Sequence, residues 1–290
     1  MPGGLDLNLA ESIRRMARAE QSPGGGERLV LSLEAALELA RGLGRSKTRS
    51  QPLARVELAA LELGIAPERY LRNFNTYSFA EQGRLLTSRL ALVGLGGLGG
   101  HVLESLARAG VGYIRAADGD EFQASNLNRQ TLCTRRSLCG YKAAAAAARM
   151  ALVNPAVEFD PVAVFLDEAL MERFLDGADL AVDALGGLKD RLALLHQAAR
   201  AGIPLVTAAV AGQTGYVATV LPGAKGPADF FGADSQAAEN TLGTPAPAVA
   251  TAAALMAGEA LNILCGRTPR LAGAMLVFDL EAMSFERVSL

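Results

Sequence analysis

Cysteine is scarce in this sequence. Only Cys133, Cys139 and Cys265 occur, an odd and scattered set. A disulfide framework needs paired thiols in an oxidising compartment, so this set implies reduced thiols and a cytoplasmic protein. No two of them form a Cys-x-x-Cys pair, which excludes a four-thiolate zinc site. A surplus of one charge is also missing: 28 Lys and Arg stand against 30 Asp and Glu. Proteins that grip a phosphate backbone carry a basic excess, so no nucleic-acid partner is expected. Long apolar runs are lacking. The richest, Pro245 to Gly258 (PAPAVATAAALMAG), is too short to span a bilayer and opens with two prolines. It reads as a buried helix, and no membrane partner is expected. Near the N-terminus Asp6, Glu11, Arg14 and Arg15 interrupt any signal-type apolar core. Tryptophan is absent and aromatics are few. The apolar half of the chain is instead rich in Ala and Leu, with many Gly, which favours helices and close backbone packing.

The 290 residues fit one large domain with an extension. Residues 1–68 read as an N-terminal helical extension. Leu5 to Arg18, Leu31 to Leu43 and Leu53 to Leu63 each look helical. In the second, Leu31, Leu33, Ala36, Leu37 and Ala40 recur at helical spacing. SPGGGE (Ser22 to Glu27) and the polar, basic GRSKTRSQP (Gly44 to Pro52) separate them as loops. From Arg84 the grammar changes. Strands at Arg89–Val93, Gly112–Ala117, Val157–Val164, Leu180–Ala184 and Pro204–Ala209 alternate with helices at Gly100–Ala109, Lys142–Val153, Glu168–Leu175 and Asp190–Ala201. Such alternation predicts an α/β fold, a Rossmann-like, mostly parallel sheet with helices on both faces. Tyr216–Leu221 starts an antiparallel C-terminal part, and Met275–Leu280 with Phe285–Leu290 reads as a final hairpin.

The first strand runs into LVGLGGLGG (Leu92 to Gly100). Gly94, Gly96, Gly97 and Gly99 set the Gly-x-Gly-x-x-Gly spacing between strand and helix. Gly94 permits a tight turn, Gly96 lets backbone approach phosphate, and Gly99 lets the helix pack on the strand. The helix start then offers free N–H groups to an anion. Asp118 closes the second strand, where a carboxylate can accept from ribose hydroxyls. These residues say only that a nucleotide is held. A nicotinamide or flavin enzyme would show the same pattern.

The following stretch, ADGDEFQASNLNRQ (Ala117 to Gln130), is more specific. Asp120, Asn126, Arg129 and Gln130 follow the acid, and Lys142 lies one short loop beyond. A dinucleotide site has no reason to bring such residues back. A triphosphate does: Arg supplies forked donors, Lys a point charge, and Asn or Gln neutral donors. Gly140 lets the loop turn the Lys142 ammonium inward. A solvated polar loop is the competing reading of these residues taken alone.

VGLGGLGG, DGDEFQASNLNRQ and GYKAAAA together resemble the ThiF/MoeB/HesA family, whose fold is shared with ubiquitin-activating enzymes. The resemblance runs from about Arg69 to Leu290, and residues 69–290 are identified by it as an ATP-binding adenylation domain. RYLRN (Arg69 to Asn73), Asn154-Pro155, GQTGYVATVLPG (Gly212 to Gly223) and GEALNILCG (Gly258 to Gly266) agree with it. The resemblance implies ATP and Mg2+ as cofactors. The reaction it implies is transfer of AMP to the C-terminal carboxylate of a small ubiquitin-like or sulfur-carrier protein ending in Gly-Gly. It places ATP on Gly94, Gly96, Gly97 and Gly99, the ribose on Asp118, and the phosphates among Asn126, Arg129, Gln130 and Lys142. Arg72 matches an arginine that the family supplies across a homodimer, so a homodimer is implied, with Arg72, Arg129 and Lys142 as catalytic residues.

The chain also departs from the family. The pattern Asp-x-x-Asp-Asn after the fourth strand is here Asp183-Ala184-Leu185-Gly186-Gly187. Asp183 is present, but Gly186 stands where the family has its Mg2+-binding Asp. Asp183 or Asp120 could replace it, or the chain could bind nucleotide without turnover. Zinc cysteines are missing, and no cysteine lies between Val210 and Asp234 to carry a covalent step. Cys133, Cys139 and Cys265 are expected to be small buried residues, His101 an exposed helix position, and His196 structural. Phe230 and Phe231 are expected to pin their loop to the core. Three readings stay open at this point: an adenylyltransferase, a non-catalytic nucleotide-binding relative, and an NAD- or FAD-dependent oxidoreductase.

Overall fold

The computed structural model describes residues 6–21, 25–43, 51–187, 190–231 and 238–290, except for the side chain of Phe231. The N-terminal unit comprises α1 (Leu7–Met16), β1 (Arg18–Gln21), β2 (Glu27–Leu31), α2 (Leu33–Gly42), α3 (Pro52–Glu62) and β3 (Ala66–Pro67). Asp6 caps α1 by accepting from the amides of Asn8 and Leu9, and Ser32 caps α2 by accepting from Ala35. Ile13, Leu31, Val56, Ala60, Ile65 and Tyr70 pack into one buried cluster.

The three helices expected in this extension are present, and a small sheet accompanies them. β1 and β2 pair antiparallel, and β3 joins β2 in parallel. Leu31, assigned to a helix by its spacing, ends β2 instead. The Ser32 cap starts the helix two residues later. β1 left no trace in the sequence because all four of its residues are exposed, so it has no apolar alternation to read. Most of the two expected loops, residues 22–24 and 44–50, lies outside the described residues.

A 3-10 turn (Glu68–Tyr70) leads into the larger unit. Its first half is α4 (Phe79–Thr87), β4 (Arg89–Val93), α5 (Gly97–Ala109), β5 (Tyr113–Ala117), α6 (Lys142–Val153), β6 (Glu158–Val162) and α7 (Glu168–Leu175). The second half is β7 (Leu180–Asp183), α8 (Arg191–Arg200), β8 (Leu205–Ala211), β9 (Thr214–Val220), α9 (Pro227–Phe231), α10 (Glu239–Leu242), α11 (Ala246–Leu264), β10 (Ala274–Asp279) and β11 (Ser284–Ser289). One eight-stranded sheet runs β11-β10-β9-β8-β7-β4-β5-β6. The five strands from β8 to β6 are parallel, and β9, β10 and β11 are antiparallel. This is the α/β architecture the alternation predicts. α5, α6 and α11 cover one face of the sheet, and α7 and α8 the other.

The chain moves outward from β4 to β5 and β6, then returns to the other side of β4 for β7 and β8. Such a reversal opens a crevice at the carboxyl ends of the strands, here between β4 and β7.

α11 is longer than the apolar run suggests. It continues past Gly258 to Leu264 as one 19-residue helix, long and apolar enough by length and composition to cross a membrane. The expectation that it is too short is corrected, but its packing is that of a core helix. Ala248, Ala252, Met256 and Ala260 are buried against the sheet. Its buried Glu259 accepts from the Thr219 hydroxyl at 3.0 Å and the Leu271 amide at 2.7 Å.

A buried polar network joins the two units. Arg69 Nε stands 2.8 Å from Glu57 Oε1. The Tyr70 hydroxyl donates to Glu57 Oε2 at 3.2 Å and accepts from Asn154 Nδ2 at 3.1 Å, which also donates to the Ala107 carbonyl. Burial pushes the Glu57 carboxyl up to about 7, against the pull of Arg69.

Candidate active site

A cleft of ≈ 370 Å³ opens at the switch between β4 and β7. That volume lies in the range of small-molecule sites. The glycine loop forms one wall, and the four glycines serve different ends. Gly94 sits at φ +98°, and a β-carbon there would lie 2.4 Å from the Ala184 carbonyl oxygen. A β-carbon on Gly99 would lie 1.9 Å from the Gly94 oxygen, and one on Gly97 would lie 2.9 Å from Val249 Cγ1. These three are glycines because the protein's own packing requires it. Gly96 differs: its β-carbon would meet only the Gln130 amide, 3.6 Å away. The space over Gly96 is therefore space for something else, which is what close approach of a phosphate needs.

Asp118 ties the loop to β5. Its Oδ2 accepts from the Leu95 amide at 2.8 Å and its Oδ1 from the Asp120 amide at 2.9 Å. Lys142 opens α6 with its side chain only 8 % exposed. Its Nζ lies 2.8 Å from Asp120 Oδ2 and 3.7 Å from Asp118 Oδ2. The inward turn before Lys142 is made by Cys139, at φ +62°, and not by Gly140. Cys139 is exposed, which corrects the expectation of a buried thiol; Cys133 and Cys265 are buried. Burial raises the thiol pKa of Cys133, and that of Cys265 to about 11.

Arg129 and Gln130 line the cleft beside Lys142. Arg129 Nη1 donates to the Ser125 carbonyl at 3.1 Å and to Asn128 Oδ1 at 2.9 Å. Gln130 is buried, and its Oε1 has no partner among the described residues. A buried amide oxygen without a partner is uncommon and suits a site that awaits a ligand or water.

Three expected site residues lie elsewhere. Asn126 borders an adjoining depression, where its Oδ1 accepts from the Gln123 amide and so closes its own turn. Asp183 does not line the cleft. It is buried, accepts from Arg191 Nη1 at 2.9 Å and the Thr207 hydroxyl at 2.7 Å, and receives the Leu185 amide at 3.1 Å. Arg191 also donates to the carbonyls of Gly187, Leu185 and Ala208. Together they hold the Ala184–Gly187 turn that floors the cleft, so Asp183 is a positioning residue. Arg72 is exposed and borders no part of the cleft.

Other residues were not foreseen. Val164 and Phe165, after β6, form an apolar wall of the cleft, and Phe165 is 72 % exposed. Gly119 fits beneath it, since a β-carbon there would lie 2.6 Å from the ring. No signal in the sequence marked them: the expected strand ran to Val164, whereas β6 ends at Val162. Glu239 of α10 also lines the cleft, and its Oε1 accepts from the Gly187 amide at 3.0 Å. Phe230 is 58 % exposed and does not pin its segment to the core, which corrects that expectation. The side chain of Phe231 lies outside the described residues. His101 is half-buried, His196 is exposed, and neither lines the cleft.

The residues present fit a nucleoside triphosphate with a divalent cation. Gly96 leaves a cradle for phosphate, Arg129 and Lys142 supply charge, and the Gln130 amide nitrogen, the nearest atom to the Gly96 face, is a neutral donor. Mg2+ bound with phosphates needs only one or two protein carboxylates, and the cleft offers Glu239 on one side and Asp120 on the other.

Residues 69–290 match the model of the ThiF family. The SAMP-activating enzyme E1 of Haloferax volcanii is 34 % identical over 215 residues, 71 % of this chain and 78 % of that protein. The sulfur carrier protein adenylyltransferase of Thermus thermophilus is 34 % identical over 220 residues, 72 % of this chain and 80 % of that protein. Among solved structures, Escherichia coli MccB with ATP shares the fold at a TM-score of 0.68 and 18 % identity, covering 95 % of each chain.

Proposed function

The chain belongs to the ThiF family, and on that footing we propose that it adenylates the C-terminal carboxylate of a small ubiquitin-like or sulfur-carrier protein, using ATP. The observation that carries this reading is the junction of Lys142, Arg129 and Gln130 with the open face of Gly96 in one cleft. A carboxylate oxygen of the partner attacks the α-phosphorus. The new bond is carboxyl oxygen to phosphorus, and the bond broken releases pyrophosphate. The nucleophile is already ionised, so no general base is needed. What the site must supply is alignment and positive charge on the phosphates. A divalent cation, when bound, supplies further charge neutralisation there.

The parts divide accordingly. Lys142 and Arg129 face the phosphates, and the Gly96 backbone approaches them. Asp118 keeps the glycine loop against β5 while its remaining lone pairs stay available to the ribose. Val164 and Phe165 offer an apolar wall to the base. Arg72, exposed outside the cleft of its own chain, acts on the partner site of a homodimer. A thiol step on this chain is not part of the proposal: Cys133 and Cys265 are buried with raised pKa values, and Cys139 lies outside the cleft.

The relatives' names support the acceptor class, and the test is isotope exchange between pyrophosphate and ATP, with Gly-Gly-ended carrier proteins added one at a time. Exchange that depends on one carrier supports the proposal. ATP binding without exchange from any carrier favours the second reading, a nucleotide-binding relative without turnover, to which Gly186 lends its weight.

A further inference from the structure

We propose that Glu239, reaching in from α10, is the carboxylate that holds a divalent cation at the Gly186 end of the cleft. This rests on the ATP-binding reading above and adds a ligand that residues 184–187, the turn after β7, do not contain.

The geometry is specific. A β-carbon built on Gly186 would lie 3.7 Å from Glu239 Oε1, the nearest atom among the described residues beyond its chain neighbours. The same oxygen accepts from the Gly187 amide at 3.0 Å, which fixes the carboxylate against the turn. Its Oε2 has no hydrogen bond to any described residue. Asp183 is buried under Arg191, Thr207 and Leu185, and Asp118 holds the loop amides. Asp120 stands beside Lys142 and not at the Gly186 turn. Asp190 borders the cleft as well, at the start of α8, and serves as the rival in the test.

Glycine at 186 leaves this place to the Glu239 carboxylate. Its backbone is not in the left-handed region, unlike Gly187 at φ +76°, so nothing local demands glycine there. A β-carbon at 186 would stand in ordinary contact with Glu239 Oε1, at 3.7 Å. A carboxylate at 186 would sit against that of Glu239, and two like charges so close cannot both stay ionised cheaply. One carboxylate at this place is enough for a hard cation whose other ligands are phosphate and water oxygens. The structure supplies it from a distant segment.

The test uses Mn2+ as probe and α,β-methylene ATP as a nucleotide that cannot be cleaved at the α-phosphorus. Free Mn2+ is read by its electron paramagnetic resonance signal, and analogue binding is measured separately in EDTA. Glu239→Gln is expected to weaken Mn2+ binding to the protein–analogue complex by on the order of tenfold or more, with no loss of analogue affinity in EDTA, where one negative charge fewer faces the phosphates. Gly186→Asp in the Glu239→Gln background is expected to restore Mn2+ binding. Unchanged Mn2+ affinity in Glu239→Gln, or a loss seen only in Asp190→Asn, overturns the assignment while the ATP-binding reading stands. Failure of the wild-type protein to bind the analogue in EDTA overturns both.

Discussion

Removing the Asp183 carboxylate is expected to damage the fold before it damages ligand binding. The pair it forms with Arg191 is closed to solvent at both ends, with side chains 2 % and 3 % exposed and 2.9 Å between charged atoms. In Asp183→Ala the Arg191 guanidinium stays buried, still tied to the carbonyls of Gly187, Leu185 and Ala208, but without its countercharge. Breaking one side of a buried pair costs about 3–5 kcal/mol, mostly from the uncompensated charge left behind. Total stability in proteins of this kind is on the order of 5–15 kcal/mol, so the loss is a large fraction of it. Urea unfolding of wild type, Asp183→Ala, Arg191→Met and the double variant reads this directly. The double variant is expected to be more stable than the sum of the single losses allows, since it buries no lone charge. A loss below about 1 kcal/mol for Asp183→Ala, the scale of an exposed pair, would refute the reasoning. So would intact stability with nucleotide affinity abolished, which would make Asp183 a ligand after all.

The glycines separate fold from function. Gly99→Ala forces its β-carbon to within 1.9 Å of the Gly94 oxygen and is expected to cost about 1–3 kcal/mol in thermal or urea unfolding, as overpacking does. Gly96→Ala meets only the Gln130 amide at 3.6 Å; it is expected to keep wild-type stability and lose about tenfold or more in ATP affinity by calorimetry, equivalent to about 1.4 kcal/mol. Glu57 gives a pH dependence of fixed sign. Its folded pKa, about 7, lies above the unfolded value of 4.5, so its contribution is greatest below the unfolded value and is lost as pH rises through 7. Wild type is expected to lose up to about 3 kcal/mol relative to Glu57→Gln between pH 4.5 and 8, and parallel stability curves for the two proteins would contradict this. Arg72 and Lys142 test the shared dimer site. Arg72→Ala and Lys142→Ala are each expected to be inactive in exchange. Mixing the unfolded chains and refolding them should return about a quarter of wild-type activity, because half of the random dimers carry one intact site.

The sheet was legible because parallel strands buried on both faces read as short apolar runs, and the helices between them carry their own spacing. Leu90, Leu92, Val182 and Val206 are such residues, each almost wholly buried. The glycine loop was legible because steric demands are local: Gly94 and Gly99 answer to atoms a few residues away or on the next strand. β1 was not legible, since its pairing uses backbone alone and its side chains are all exposed. Asp183 misled for a related reason. An acid at a strand end looks like a ligand, and only the three-dimensional position of Arg191 shows that it is consumed beneath the turn. Glu239 was invisible in the sequence because α10 is a four-residue helix without periodicity. Its meaning comes from lying over Gly186, which chain order does not reveal. Phe165 was missed because an exposed aromatic next to a strand has no distinguishing pattern until Gly119 is seen beneath it.

The central claim is that the cleft at the β4–β7 switch holds the tail of a nucleoside triphosphate. A crystal structure with α,β-methylene ATP tests it most directly. The expected result places the phosphates over Gly96, with Arg129 and Lys142 turned onto their oxygens and Lys142 drawn away from Asp120. A structure with Arg129 directed to solvent, Lys142 still paired to Asp120 and no phosphate at Gly96 would contradict the account.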